Sequence, residues 1–129
     1  DMMVGSDGIP DLKGMPHPRL FGTFPKILGY YVREKKLLSL TEAIRRMTSL
    51  AATTFGLHQR GLIKEGYRAD LLLFNPDTIS DSATYDNPKQ LATGIEAVFV
   101  NGKLAYRQGH YTQSGSGEML RYQRDPFRG

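Results

Sequence analysis

The sequence has 129 residues, enough for one compact domain but only about half of what a complete (β/α)8 barrel needs. Hydrophobic residues make up 40% of it, which excludes a wholly disordered or collagen-like chain. It has no cysteine, which excludes disulfides and thiolate metal sites and favours a cytoplasmic protein. The net charge of +4 lies in residues 1–60, which hold 9 basic and 5 acidic residues against 8 and 8 in residues 61–129.

The basic residues of the first half alternate with apolar ones at helical spacing, as on a solvated helix face. They include Arg33, Arg45 and Arg46. We therefore predict no specific nucleic-acid partner. The apolar run at residues 71–74 is far below the roughly 18 residues of a membrane span, so no membrane contact is predicted either. The start, DMMVG, lacks the pattern of a secretory signal and is typical of a strand entered in mid-course, which predicts a fragment.

The first predicted element is a short strand at residues 2–4, ended by the turn-forming GSDG of residues 5–8. Asp7 should therefore project from a strand end. Glycines and prolines then predict a long loop over residues 9–22, since they disfavour both helix and central strand. Within this loop His17-Pro18-Arg19 is stiffened by proline, which favours a functional loop.

Three helices are expected next. The first spans about residues 24–36, with Thr23 as its cap. Its apolar residues follow one buried face at 3.6-residue spacing: Phe24, Ile27, Leu28 and Tyr31. The second begins at the capping box of residues 39–42, and the third, residues 50–55, is closed by a left-handed Gly56. The aromatic residues Phe21, Phe24, Tyr30 and Tyr31 are interpreted as core rather than as the lining of an acyl pocket.

The second half of the chain is predicted to be β. Residues 69–74 form a buried strand, and the strands 95–100 and 103–107 flank Asn101-Gly102, a strong signal for a type I′ hairpin. Asp70 precedes the buried strand and is expected to serve as a structural acceptor. Residues 78–93 are predicted to be a polar loop, and residues 112–129 an irregular, loosely packed tail.

Two motifs resemble the C-terminal part of amidohydrolase-superfamily enzymes. They are GLIKEGYRADL at residues 61–71 and the FVNGK hairpin at residues 99–103. The GSDG turn together with HPRLFGTFP at residues 17–25 is similar to the D-aminoacylases, the N-acyl-D-amino-acid deacylases. The match spans about residues 3–110 and includes the ATY of residues 83–85.

The resemblance implies an α/β fold: the last strand and following helices of a (β/α)8 barrel, with part of a small β-sandwich. Residues 1–60 would belong to the barrel, residues 61–111 to the sandwich and residues 112–129 to the tail. The implied enzyme is a zinc hydrolase whose earlier barrel strands, with the metal ligands, are absent from this chain. That missing N-terminal part becomes an expected partner, self-association is possible, and the chain alone should be inactive and zinc-free.

The resemblance also implies the site residues. Asp7 would be the catalytic acid and base, close enough to contact the metal. Arg19 would bind the carboxylate of a small N-acyl-D-amino acid. Beside these, the residues themselves lead us to expect that His17 shapes the pocket or its entrance and that Ser6 and Gly8 position the backbone. Without the resemblance, Asp7 is a turn residue that bonds its own backbone, and Arg19 makes an ordinary surface ion pair.

Other interpretations of these residues are less favoured. His17, His58 and His110 lie in different predicted elements, so a local zinc site is not expected. Ser6 lacks the G-x-S-x-G turn of a nucleophile. Two further functions stay open: another amidohydrolase, such as a dihydropyrimidinase-like cyclic-amide hydrolase or a deaminase, and a non-catalytic α+β interaction module.

Overall fold

A computed structural model describes residues 2–11, 13–112 and 115–122. Helices occupy the first half of the chain and one antiparallel sheet the second. The helical elements are α1 (Arg19–Lys26), a π-helix (Ile27–Glu34), α2 (Leu40–Met47) and α3 (Ser49–Thr54). The strands are β1 (Leu71–Phe74), β2 (Ile95–Val100), β3 (Lys103–Arg107) and β4 (His110–Tyr111). No helix in these ranges is long and apolar enough to cross a bilayer.

The strand predicted at residues 2–4 is not formed. These residues have no regular structure and no strand partner among the described residues, and Val4 N–H donates to the Arg46 carbonyl at 3.5 Å. A strand is defined by the ladder it shares with a neighbour, and the sheet here consists of β1 to β4 alone. The prediction of a strand is therefore wrong for the chain as described.

The first helix begins five residues earlier than predicted, at Arg19 rather than 24. Pro18 is its N-cap with φ −52° and ψ −25°, and the Pro18 carbonyl accepts from the N–H groups of Phe21 and Gly22. Proline's fixed φ is already helical, so it starts the helix that it was expected to prevent. Thr23 therefore lies inside α1 and donates to the Arg19 carbonyl at 2.8 Å instead of capping.

A π-helix continues α1, and the N–H of Lys35, its C-cap, donates to the Tyr30 carbonyl five residues back at 2.8 Å. The wider turn changes which residues share a face, so 3.6-residue spacing fails here. Leu28 is buried as predicted, but Phe24 and Tyr30 are 44% and 37% exposed. The interpretation of these two aromatic residues as core is wrong.

The predicted start of α2 at Ser39 and the predicted end of α3 at Gly56 are confirmed. The Ser39 hydroxyl accepts from Glu42 N–H at 3.2 Å, capping α2. The helix breaks at Thr48, whose φ and ψ of −128° and −89° are not helical, and α3 follows. Gly56, with φ 64°, closes it in the left-handed conformation. The Glu42 side chain does not return to Ser39, as a complete capping box would require, because it binds Arg45 and Arg46.

The Glu42 carboxylate makes stability depend on pH. Hydrogen bonds from Arg45 and then Arg46 lower its pKa from the ordinary 4.5 to about 2. The folded state thus binds its proton less readily than the unfolded state, so the stabilisation is complete above about pH 4.5 and is lost as the pH falls towards 2. We expect Glu42→Gln to lower the urea midpoint at pH 7 and to leave it nearly unchanged at pH 2.

Glu65→Gln, which removes the same charge from an exposed loop, is the control for that comparison. A difference between Glu42→Gln and the parent that persists undiminished at pH 2 would show that the ion pairs of Glu42 are not its source.

The sheet has the strand order β1-β2-β3-β4, with every neighbouring pair antiparallel. Asn101 and Gly102 have φ of 49° and 78°, which confirms the type I′ hairpin. A second hairpin of this kind, at Gln108-Gly109, was not predicted and joins β3 to β4. β1 lies at one edge of the sheet, and its leucines are 37–54% exposed. The prediction of a buried strand is thus wrong for the chain as described, because successive leucines point to opposite faces of the sheet and neither face is covered at β1 among the described residues.

The core joins the helices to the segment between β1 and β2. Leu28, Ala43 and Ile79 are its buried centre, and Ile79 is only 1% exposed. Residues 78–93 are a loop as predicted, with one isolated bridge between Ser80 and Thr93. Arg33, predicted to lie on a solvated face, instead donates to the Ile79 and Pro76 carbonyls at 2.6 and 3.1 Å. It fastens this loop to the π-helix.

Gly94 lets the same loop close. With φ +76°, it has room for no side chain, since a Cβ would lie 2.5 Å from the backbone nitrogen of Ile79. Gly109 also has positive φ, +90°, but no atom lies within 4 Å of the equivalent Cβ.

Gly109→Ala should therefore cost about 1–2 kcal/mol of unfolding free energy, from backbone strain alone. Gly94→Ala should cost at least about 3 kcal/mol, because the backbone must also move. Urea denaturation of both variants measures the difference, and equal losses would disprove the close approach.

Arg60 connects residues that are far apart in the chain. Its guanidinium binds the carboxylates of Asp70 and Glu118 and the side-chain oxygen of Asn101. Asp70 also accepts from Asn101 N–H at 2.8 Å, which confirms it as a structural acceptor. Through Glu118, the predicted loose tail is attached to the hairpin. Within it, residues 115–122 have no regular structure, and the predictions for residues 113, 114 and 123–129 lie outside the described residues.

Candidate active site

The turn at residues 6–8 lies against the first turn of α1. The Ser6 hydroxyl accepts from Gly8 N–H at 3.2 Å, and Asp7 between them has φ 48°, a left-handed conformation that Asp tolerates better than most residues. A Cβ on Gly8 would lie 3.1 Å from Leu20 Cδ1, tighter than ordinary contact. The missing side chain of Gly8 therefore allows the turn to approach the start of α1.

This approach brings Asp7 and Arg19 together. Arg19 Nη2 lies 2.9 Å from Asp7 Oδ2, although the two residues belong to different local structures. The Asp7 side chain is 81% exposed and that of Arg19 is 37% exposed. Exposed ion pairs of this kind contribute about 0–1 kcal/mol, so a ligand can separate them at little cost. Both groups are accessible from solvent.

Part of the Arg19 guanidinium is unused. Its Nε is buried and has no hydrogen-bond partner among the described residues. A buried donor without a partner is unfavourable by about 1–3 kcal/mol, and a ligand can satisfy it only once the guanidinium turns towards solvent, as it can when its contact with Asp7 is released. A carboxylate can accept from Nε and one Nη at once, the paired geometry for which arginine is suited. The arrangement can therefore bind an anionic ligand beside an exposed carboxylate.

His17 connects Arg19 to a more distant part of the chain. Its Nδ1 accepts from the backbone N–H of Arg19 at 3.0 Å, and its Nε2 lies 3.0 Å from the Tyr85 hydroxyl. The two rings also make an edge-to-face contact, with centroids 5.0 Å apart. Tyr85 was not among the predicted site residues, and its one signal in the sequence is its place in the ATY motif at residues 83–85.

The side chains brought together here do not fit a complete metal site. Within residues 2–11, 13–112 and 115–122, no three His, Cys, Asp or Glu side chains are grouped to hold a metal ion. Of the predicted site residues, Asp7 could provide one oxygen ligand, whereas both ring nitrogens of His17 are engaged with Arg19 and Tyr85. A tetrahedral zinc site needs three or four converging ligands.

An apolar hollow of about 200 Å³ lies elsewhere, on the sheet. Its lining includes Leu91, Val98, Tyr106 and Tyr111 and contains none of the residues around Asp7 and Arg19. It carries no charged group, so it offers no means of polarising an amide. The candidate site is therefore the Asp7–Arg19 pair and not this hollow.

A model of the amidohydrolase family matches residues 1–106. The chain is 45% identical over 118 residues to a D-aminoacylase of Alcaligenes xylosoxydans xylosoxydans, covering 92% of this chain and 24% of that protein. It is 53% identical over 103 residues to an N-acyl-D-aspartate deacylase of the same organism, covering 80% and 20%. It thus spans about a quarter or less of the length of these curated relatives.

A solved structure agrees with this match. The crystal structure of an N-acyl-D-glutamate deacylase from Bordetella bronchiseptica, complexed with zinc and a phosphonate inhibitor, superposes with a TM-score of 0.79 at 47% identity. The superposition covers 84% of this chain and 23% of that one. The resemblance to D-aminoacylases is confirmed, and the chain belongs to the amidohydrolase family.

Proposed function

We propose that this chain contributes the proton-transferring carboxylate and the carboxylate-binding arginine of an enzyme that deacylates N-acyl-D-amino acids. The observation that carries the proposal is the state of the Arg19 guanidinium. Its Nη2 binds the exposed carboxylate of Asp7, and its Nε has no hydrogen-bond partner among the described residues. The relatives are named for N-acyl-D-amino acids, which have a free α-carboxylate. Such a carboxylate matches the unused donors of Arg19.

Substrate binding would release the Asp7 carboxylate from its ion pair with Arg19. When the substrate carboxylate occupies Arg19 Nε and Nη, the contact between Arg19 and Asp7 is released. The freed Asp7 carboxylate accepts a proton from the attacking water, and then gives that proton to the nitrogen of the leaving amine. Water adds to the carbonyl carbon and the C–N bond breaks, so the products are a carboxylate and a D-amino acid. Ser6 and Gly8 hold the turn that delivers Asp7.

Zinc is expected in the complete enzyme, as in the Bordetella deacylase. Zinc polarises carbonyl groups and lowers the pKa of bound water. Because the residues here form no metal site, its ligands would have to come from other parts of the enzyme. The contribution proposed for this chain is limited to proton transfer and carboxylate binding.

Exposed apolar surface supports the proposed place of the chain in a larger enzyme. β1 is an edge strand whose Leu72 and Leu73 are 47% and 54% exposed, and Met2 is 69% exposed. Leu72 and Leu73 are consecutive in β1 and point to opposite faces of the sheet, so both faces are open to further packing at this strand. We propose that residues 1–60 complete a (β/α)8 barrel and residues 61–111 part of a β-sandwich, both covered by the missing N-terminal part. Without that part, this surface would promote self-association.

Several arginines of the first half are engaged in contacts within the chain, which argues against a module that binds nucleic acid. Arg45 and Arg46 bind Glu42, and Arg33 binds the carbonyls of Pro76 and Ile79. Phosphate binding would need these guanidinium groups to leave their present partners. The geometry therefore favours the hydrolase over a nucleic-acid-binding module.

A chimera tests the proposal, in which this chain replaces the matching segment of the Alcaligenes D-aminoacylase. We expect the chimera to hydrolyse N-acetyl-D-amino acids and to leave hydantoins intact, since cyclic amides of that kind have no α-carboxylate for Arg19. The chain by itself should be inactive in the same assay. A folded chimera that hydrolyses hydantoins, or neither substrate class, would contradict the proposal.

A further inference from the structure

We propose that Tyr85 is a positioning residue for substrate binding and that it holds Arg19 in place through His17. The inference rests on the proposed function, because it concerns how tightly Arg19 binds the substrate carboxylate. It adds a residue from the loop between β1 and β2, 68 positions away from His17 in the chain. The side chain of Tyr85 is placed to act on His17 and not on Asp7.

The hydrogen bonds of His17 define its tautomer. A backbone N–H can only donate, so the Nδ1 atom that receives the Arg19 N–H at 3.0 Å carries a lone pair and no proton. In the neutral imidazole the proton is then on Nε2, which donates to the Tyr85 oxygen at 3.0 Å. The edge-to-face contact between the rings adds a second restraint. Tyr85 thus fixes the orientation of the ring whose other nitrogen binds Arg19.

Tyr85 is 74% exposed, yet its backbone is held in a short turn. Thr84 N–H donates to the Asn87 carbonyl at 3.1 Å, and Asn87 N–H donates to the Thr84 hydroxyl at 3.0 Å. The turn is flanked by two buried residues, Ala83 and Pro88. The backbone that carries the Tyr85 side chain is therefore held in place by the turn and by its buried neighbours.

The same loop is pressed against α1. A Cβ on Gly22 would lie 3.2 Å from Asp81 Cβ and 3.6 Å from Ala83 Cβ, so the loop approaches the helix closely at this residue. Gly22 is three residues beyond Arg19 in the same helix. The segment that precedes Tyr85 and the helix that carries Arg19 therefore pack directly against each other.

The start of α1 depends on His17. Its N-cap, Pro18, makes no side-chain cap hydrogen bond, and the His17 ring instead accepts the N–H of Arg19, the first helical residue. The loss of the Tyr85 hydroxyl would remove one of the restraints on this ring and leave its orientation less fixed. Arg19 would then be less pre-organised for its ligand, whereas Asp7 would keep its own position. The expected consequence is weaker substrate binding at an unchanged chemical step.

Kinetics of the chimera test this inference. Tyr85→Phe keeps the aromatic contact and removes the acceptor oxygen, so KM should rise about threefold to tenfold with kcat changed less than twofold. Tyr111→Phe, which removes a similarly exposed phenol from β4, is the control and should leave KM unchanged. An unchanged KM in Tyr85→Phe, or a loss confined to kcat, would overturn the assignment.

A second variant tests whether Tyr85 acts through His17. Asn at position 17 can still accept the N–H of residue 19, since Asn forms this local bond readily, but it is too short to reach Tyr85. His17→Asn should therefore raise KM as much as Tyr85→Phe does, and the double variant should be no worse than either. Additive effects would show that Tyr85 acts by another route.

The tautomer gives a readout that is independent of activity. Nitrogen-15 NMR of the histidine-labelled chimera, with the His17 signals assigned by their loss in His17→Asn, should show an unprotonated Nδ1 and a protonated Nε2 on His17. A proton on Nδ1 would overturn the inference even if the chimera is active. An inactive chimera with the expected tautomer would instead overturn the proposed function and leave the connection between Tyr85 and Arg19 standing.

Discussion

Asp7→Asn should lower the kcat of the chimera by about 10²–10⁴-fold, the range typical for the loss of a general acid and base. Asparagine has nearly the same shape and can occupy the same turn, but its amide cannot accept the proton of the attacking water or return it to the leaving amine. The left-handed φ of 48° at this position is also tolerated by Asn. The loss should therefore be chemical and not structural, and is measured by steady-state hydrolysis of an N-acetyl-D-amino acid.

Asp11→Asn provides the matched control. Asp11 lies in the same loop, and its carboxylate caps the N–H groups of Lys13 and Gly14 at 3.2 and 2.8 Å, a role that Asn can fill. This variant should keep near-normal turnover. Near-normal turnover in Asp7→Asn as well would remove Asp7 from the chemistry.

Arg19→Lys should raise KM by about 10–150-fold and change kcat much less. Lysine keeps the positive charge but is a point charge, and it cannot offer the paired donors that Nε and Nη present to a carboxylate. Hydrogen bonds to charged groups contribute about 1.5–3 kcal/mol, and this sets the size of the effect. Initial rates over a wide range of substrate concentration separate KM from kcat.

Arg68→Lys makes the same exchange at an exposed loop position and should leave KM unchanged. If Arg19→Lys also leaves KM unchanged, Arg19 does not hold the substrate carboxylate. If it instead lowers kcat alone, the residue contributes to the reaction step and not to binding.

Local signals were predictable from the sequence because their cause lies within a few residues. The Asn101-Gly102 hairpin needs two positive φ values and was predicted from that requirement. The same is true of the Ser39 cap and of Gly56 at the end of α3. In each case the side chain, or its absence, decides the backbone conformation at its own position.

Features decided by distant residues were missed. The burial of Ile79 depends on Arg33 and Gly94, which are 46 positions before it and 15 positions after it. The π-helix also escaped prediction, because its turns violate the spacing from which the buried face was inferred. Neither feature leaves a periodic pattern in the sequence.

In the candidate site, too, the residues could be predicted from local sequence, whereas the contacts between them could not. Asp7, His17 and Arg19 were singled out by their turn, their prolines and the family resemblance. Their contacts were not predicted: the 2.9 Å ion pair between Asp7 and Arg19 requires the unforeseen start of α1 at Arg19. Tyr85 reaches His17 only because its loop packs on that helix.

In the proposed reaction, Arg19 exchanges its contact with Asp7 for the substrate carboxylate. A crystal structure of the chimera with a phosphonate inhibitor that carries the α-carboxylate of the substrate would show whether this exchange occurs. We predict that the carboxylate binds Arg19 through Nε and Nη, and that the 2.9 Å contact between Arg19 and Asp7 is broken. An inhibitor bound with that contact intact and with its carboxylate away from Arg19 would contradict the account.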